Sequence, residues 1–250
     1  MSITIKTAPE LVKMRAAGNL VGRLLVELSR RVKPGVTTRE LDDFSRGFFE
    51  AAGAVPAFLG YNGYPASICA SVNEQVVHGI PGARKLAAGD IVGIDVGAVL
   101  DGYVGDAART FAVGEVSEEA RRLMRVTRES LDAGIAAALN NGHVQDIGAA
   151  VQAHAEAAGF SVVRDFVGHG IGRKMHEDPQ VPNYGRRGLG PRLKAGMTLA
   201  IEPMVNAGGL EVEVLSDGWT VLTRDRRLSA HFEDTVIITE GEPEIITRLD

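Results

Sequence analysis

Cysteine is nearly absent from this chain: Cys69 is the one example in 250 residues. That scarcity excludes an internal disulfide framework and a zinc site built on thiolates. No apolar run approaches the roughly 20 residues that cross a bilayer. The N-terminal stretch MSITIKTAPE lacks the charged-then-apolar order of a signal peptide. Positive charge is not in excess either. Lys and Arg number 27 against 32 Asp and Glu, a net charge of −5, so nothing global favours DNA or other nucleic acid. These absences point to a cytoplasmic, soluble chain with no membrane partner, and the length allows one large domain or two small ones.

What is present repeats itself. FFEAAG at 48–53 answers HAEAAG at 154–159, and RKLAAGDIVGID at 84–95 answers PRLKAGMTLAIE at 191–202. The order of elements matches between these anchors. LVKMRAAGNLVGRLLVELSRRVKPG reads as an amphipathic helix stopped by Pro34. EEARRLMRVTRESLDAGIAAALNNG reads as its counterpart, with Ser117 as N-cap. A second helix follows each, TTRELDDFSRGFFEAAG or VQDIGAAVQAHAEAAG, and then a strand-rich region carrying DGY (101–103) or DGW (217–219). Two such halves predict an α+β fold with pseudo-two-fold symmetry: one antiparallel sheet, helices on its outer face. The expected organisation is a single domain over 1–250, with repeat one at about 11–115 and repeat two at about 117–240. The Gly- and Arg-rich segment 183–196 reads as a loop whose Arg186, Arg187, Arg192 and Lys194 form a solvated rim.

The repeat places acids where a core is expected. Asp95 and Glu202 end the apolar runs IVGID and TLAIE, whose Ile91, Val92, Ile94, Leu199 and Ile201 read as buried strand. A carboxylate ending a buried strand costs several kcal/mol unless it is neutralised. Asp106 in YVGDAARTF and Glu233 in SAHFEDTVII are expected at corresponding places after the DGY and DGW turns. Each half then supplies two carboxylates on adjacent strands, which symmetry brings together. Protons or cations must offset four such charges, and two divalent ions balance them. The imidazole best placed to join is His169, in GHGIGRKMHEDPQV (168–181), where alternating glycines argue for strand and loop rather than helix. One nitrogen among carboxylates suits paired Mn, Fe, Co or Zn, and such pairs recur in hydrolases.

With those residues in place, the chain resembles the type I methionine aminopeptidases of the short bacterial kind, which have the pita-bread metallohydrolase fold. The resemblance runs through NGYPASICASVNEQVVHGIP (62–81), GDIVGIDVG (89–97), DGYVGDAARTF (101–111), GHGIGRKMHEDP (168–179), IEPMVNAGG (201–209) and DGWTV (217–221). It implies a dinuclear centre held by Asp95, Asp106, His169, Glu202 and Glu233. It implies substrate contacts from His78 and His176, and a methionine pocket from Tyr61, Tyr64, Cys69 and Trp219. Glycines around His169 would let the substrate backbone approach. The implied reaction is removal of N-terminal methionine ahead of a small second residue. Glu202 would carry a proton to the leaving nitrogen, while His78 and His176 stabilise the tetrahedral intermediate. The partners implied are nascent polypeptide N-termini, with transient ribosome contact expected through arginine-rich loops that include Thr223-Arg224-Asp225-Arg226-Arg227, and the state implied is a monomer.

The chain also departs from the family pattern. Met175 stands where an aromatic is usual, and Phe58 replaces a pocket cysteine. Ala230-His231-Phe232-Glu233-Asp234-Thr235 stands where Ala-Gln-aromatic-Glu-His-Thr is usual, so both neighbouring positions of the ligand Glu233 differ. The rival enzymes are prolidase and aminopeptidase P, which usually carry an N-terminal domain. The first repeat helix is expected by about Leu11, which leaves no room for one. A non-catalytic module of the same fold is the rival from another class, and such modules typically lose ligands that this chain keeps.

Overall fold

The computed structural model describes residues 2–249; Met1 and Asp250, which the expected 1–250 domain includes, lie outside the described residues. The first half opens with α1 (Ala8–Ser29) and α2 (Thr38–Ala51). It continues through β1 (Val55–Pro56), β2 (Ile68–Val72), β3 (Gln75–Val77), β4 (Ile91–Leu100) and β5 (Tyr103–Ala112). The second half opens with α3 (Glu118–Ala136) and α4 (Val144–Ala157). Its strands are β6 (Ser161–Val162), β7 (Gly168–Gly170), β8 (Glu177–Val181), β9 (Thr198–Ile201) and β10 (Met204–Asn206). They continue with β11 (Val212–Val214), β12 (Val221–Thr223), β13 (Ser229–His231), β14 (Glu233–Ile237) and β15 (Glu244–Ile245).

A nine-stranded sheet runs β1-β4-β5-β14-β9-β7-β8, with β2 on β4 and β15 on β14. Its middle is therefore the long pair of one half, β4 and β5, set against β14 and β9 of the other, all antiparallel. Asp101 and Gly102 join β4 to β5 with φ of 49° and 77°, directly after the pair Leu100↔Tyr103. Two positive φ angles in a two-residue loop make the tight turn whose twist matches the flanking strands. Two smaller sheets, β13-β10-β6 and β11-β12-β3, flank the large one.

Period-two alternation divides the faces of the sheet. Along β4, Val92, Ile94 and Val96 pack with Leu20, Val21, Leu24 and Leu28 of α1. Gly93, Asp95 and Gly97 face the other way. Leu199, Ile201 and Val236 likewise join Leu131, Ile135 and Ile147 of α3 and α4. Each such aliphatic side chain stabilises the fold by about 1.5–3 kcal/mol, so the register is strongly held. A Cβ at Gly105 would lie 2.6 Å from Ala17 C, which is why α1 lies directly on β5. α3 begins as expected, with Ser117 Oγ accepting from Ala120 N at 3.1 Å.

Two expectations are corrected. Helix α1 ends at Ser29 with Arg30 as its C-cap, before Pro34 acts, so the proline follows the end rather than making it. The DGW turn is not the counterpart of the DGY turn. β9 and β14 pair as β4 and β5 do, but the chain between them detours through β10–β13. DGW sits inside that detour, between β11 and β12, which explains why Glu233 lies so much further from its turn than Asp106 does.

Candidate metal centre

The strand registers place the five expected ligands on one face. Asp95 pairs with Ala108 on β5, and Ala108 pairs in turn with Glu233 on β14. Asp106 is two residues from Ala108 and shares its face. On the other side, Thr235 pairs with Ala200 and Ala200 with His169, while Glu202 lies two residues beyond Ala200. The small side chains of Ala108, Ala200 and Gly97 leave a hollow among the acids. That hollow is a cavity of about 220 Å³ lined by Asp95, Asp106, His169, Glu202 and Glu233.

Ligand atoms of Asp106, His169 and Glu233 all lie within 4.8 Å of one another. His169 Nε2 is 3.8 Å from Asp106 Oδ2 and 3.5 Å from Glu202 Oε1. Asp95 Oδ1, Asp106 Oδ1 and Glu233 Oε1 are buried with no hydrogen-bond partner among the described residues. Buried orphan oxygens are costly, and three in one cavity are an arrangement that cations satisfy. His169 Nδ1 lies 2.9 Å from the Gly170 carbonyl. Donation there leaves the Nε2 lone pair for a metal, a common way of fixing an imidazole ligand.

Electrostatics tell the same story. Burial pushes the Asp95 carboxyl up to about 7. Burial and then the charges of Asp95 and Glu202 push Asp106 well up, and Glu233 rises through burial and the charges of Asp106, Glu202 and Asp95. Glu202 rises through burial and then Asp95. Without cations these carboxyls hold their protons to higher pH than free ones do. His169 is pushed down to about 3 by burial, then by His176, so its ring is neutral at physiological pH, as a ligand must be.

Every expected substrate residue borders the same cavity: Phe58, Tyr61, Tyr64, Cys69, His78, Met175, His176 and Trp219. Phe58, Tyr64, Cys69 and Met175 are buried and make an apolar end. The Phe58 ring occupies the place a Cβ at Gly97 would take. Tyr64 and Trp219 rings meet edge-on at 5.0 Å, and Tyr64 Oη donates to the carbonyls of Ile68 and Gly79, each at 3.1 Å. Burial, then Asp95, raises the Cys69 thiol, which makes it a wall rather than a nucleophile. His78 has φ of 59° and is pushed down to about 4 by burial and then His176. At the mouth, Tyr61 Oη lies 2.7 Å from His176 Nδ1, and the His169 and His176 rings are 4.2 Å apart.

The glycines around His169 do a different job from the one expected. A Cβ at Gly168 would lie 2.4 Å from the Ala200 carbonyl oxygen, and one at Gly170 would lie 2.2 Å from that of Asp178. It is the chain's own backbone that comes close. Sequence reasoning also missed Asn62, which lines the cavity, Phe166, whose ring meets His78 edge-on at 5.5 Å, and Asn183, whose Nδ2 donates to the Glu202 carbonyl at 3.1 Å. None has a spacing that marks it in advance.

The sequence pattern of metallopeptidase family M24 matches residues 12–240. The chain belongs to that family. It is 55% identical to a protein of Clostridium perfringens named methionine aminopeptidase, over 99% of both chains. The solved structure of methionine aminopeptidase from Rickettsia prowazekii superposes with a TM-score of 0.97 at 46% identity, covering 98% of this chain and 100% of that one. Prolidase from Pyrococcus furiosus superposes at 0.80 with 23% identity, and the match covers 98% of this chain and 66% of the prolidase; that likeness is one of fold. The α+β sheet described above is thus the pita-bread fold of an M24 metallopeptidase. Among the described residues, no helix is long and apolar enough to cross a membrane.

Proposed function

We propose that this M24 chain removes the N-terminal methionine from polypeptides whose second residue is small, using two divalent cations among Co, Mn, Fe and Zn. Asp95, Asp106, His169, Glu202 and Glu233 are the residues that would hold them. The observation that carries the reading is the set of buried, unpartnered carboxylate oxygens beside His169 Nε2, at the floor of a cavity whose other end is apolar. Phe58, Tyr64, Cys69, Met175 and Trp219 suit an unbranched thioether, which sulfur–aromatic contact favours. The cation site those acids would form takes a free α-amine, which restricts cleavage to the first residue.

Bound cations supply Lewis acidity and a water acidic enough to ionise near neutral pH. Glu202, at the edge of the ligand set, takes the proton of the attacking water and delivers it to the leaving nitrogen. Tyr61 occupies Nδ1 of His176, which leaves Nε2 for the substrate carbonyl. His78, neutral and walled by Phe166 and Trp219, offers a second neutral donor to the developing oxyanion. We place the activity in a single domain over 1–250, of two repeats at about 11–115 and 117–240. We place it in the cytoplasm, as a monomer acting on nascent chains with transient ribosome contact.

The test is hydrolysis of a Met-Ala-Ser peptide before and after chelation, then with each metal restored. Activity lost on chelation and restored by metal is expected, together with a large loss of turnover in Glu202→Gln that leaves the fold intact. Activity surviving complete metal removal, or a preference for Xaa-Pro bonds, overturns the proposal.

A further inference from the structure

His231 is buried, at 3% exposure, and the reaction as described does not use it. Its main chain is fixed from two sides. The Thr110 hydroxyl accepts from His231 N at 3.0 Å and donates to His231 O at 2.8 Å. On the other edge, His231 pairs with Met204, two residues after Glu202. Gly93 packs beside it: a Cβ there would be in ordinary van der Waals contact, 3.9 Å from His231 Cβ. The backbone is therefore held and the ring has little freedom.

The ring points at Glu202. His231 Nε2 has no hydrogen-bond partner among the described residues and lies 3.7 Å from Glu202 Oε2. The other oxygen, Oε1, is 3.5 Å from His169 Nε2. One carboxylate thus lies between two imidazoles, one at each oxygen. An orphaned buried donor costs about 1–3 kcal/mol. Closing the gap to hydrogen-bond range takes a shift of about 0.5–1 Å, which a turn of the Glu202 carboxylate supplies. A neutral imidazole has one N–H to give.

We propose that His231 is a positioning residue for Glu202: its Nε2–H donates to Oε2, fixing the carboxylate so that Oε1 stays turned toward His169 and the reacting centre. This rests on the assignment of Glu202 to the ligand set and to proton transfer. Holding one oxygen in this way removes a rotation of the carboxylate that would otherwise move the proton acceptor away from the attacking water. Partners of this kind, one step outside the ligands, typically change metal affinity or activity by about 10–100-fold when removed.

Three variants test it. His231→Gln keeps an N–H donor of similar reach, His231→Asn keeps the amide on a shorter arm, and His231→Leu fills the space without a donor. For each, turnover of Met-Ala-Ser, the dissociation constant for Co(II) by calorimetry, the Co(II) absorption spectrum and the melting temperature are measured. Leu and Asn are expected to lose about 10–100-fold in turnover or affinity, Gln to recover most of it, and the Co(II) spectrum to stay that of the wild type. A merely structural role would lower melting without rescue by Gln. Wild-type turnover and affinity in Leu, or a loss in Gln as deep as in Asn, overturns the proposal. So does an altered Co(II) spectrum in Gln, which marks a direct ligand. If Leu does not fold, Gln against Asn decides. Chelation of the wild-type protein separates the two failures: metal-dependent cleavage with an indifferent His231 removes this inference alone.

Discussion

Asp95→Asn should make the metal-free protein more stable at alkaline pH while weakening its hold on cations. The magnitude follows from the site. Burial holds the folded Asp95 carboxyl at about 7, against 3.8 for a free one. At about 1.4 kcal/mol per pH unit between the two values, ionised Asp95 disfavours the metal-free fold by about 4 kcal/mol once pH exceeds both. The sign is that of a raised carboxyl. The folded state binds more protons, so stability falls as pH rises from about 4 toward 8. Below about 4 there is no penalty. Asp95 also contributes to the rise of Asp106, Glu202 and Glu233, so its removal eases all three. An imperfectly bonded amide gives back about 1–2 kcal/mol, leaving a net gain of about 2–3 kcal/mol at pH 8.5. The assay is urea unfolding of chelated wild type and variant at pH 8.5 and pH 4. The variant should lead at the first and not at the second. Saturating metal should reverse the order, since a cation at about 1,000 times its dissociation constant stabilises the wild type by about 4 kcal/mol. A metal-free variant no more stable than wild type at pH 8.5 would refute the reasoning.

Asp234→Asn breaks a buried ion pair, since Asp234 contacts Arg109 at 2.5 Å and Arg248 at 2.7 Å. A loss of about 3 kcal/mol is expected, read by calorimetry as about 6–12 °C in melting temperature; a loss under about 2 °C contradicts it. Gly170→Ala drives a methyl into the Asp178 carbonyl, so β8 must move away from β7 and His169 with it. Both melting temperature and Co(II) affinity should fall, and a variant with wild-type affinity counts against the close-approach reading.

The buried acid cluster was legible in the sequence because burial and charge conflict there. Asp95 and Glu202 close runs of strand formers, a pattern that makes no physical sense for isolated acids and complete sense for paired cations. The repeat supplied the pairing, and with it the central position of β4, β5, β14 and β9. Local chemistry also marked Ser117 as a cap and 183–196 as a loop, whose Arg186, Arg187, Arg192 and Lys194 are exposed. The detour through β10–β13 was not legible. It breaks the correspondence between DGY and DGW, and strand partners distant in sequence leave no periodic signal in either strand. The glycines of 168–172 were read correctly as places of close approach, but composition does not say what approaches.

Asp234 shows best why the rest stayed hidden. Alternation puts Glu233 on the cavity face and Asp234 on the helix face of the same strand. There Asp234 meets Arg109, Arg248 and the Thr247 hydroxyl, and Arg109 also donates to the Glu233 carbonyl. Adjacent acids therefore have opposite fates. One is paired within the protein and anchors the strand; the other has an oxygen left without a partner and is free to bind a cation. A one-residue slip of β14 would exchange them, turning Asp234 into the cavity away from its arginines and leaving Glu233 against the helices. The ion pairs of Asp234 oppose that slip, so the acid beside Glu233 is also one that keeps Glu233 in register.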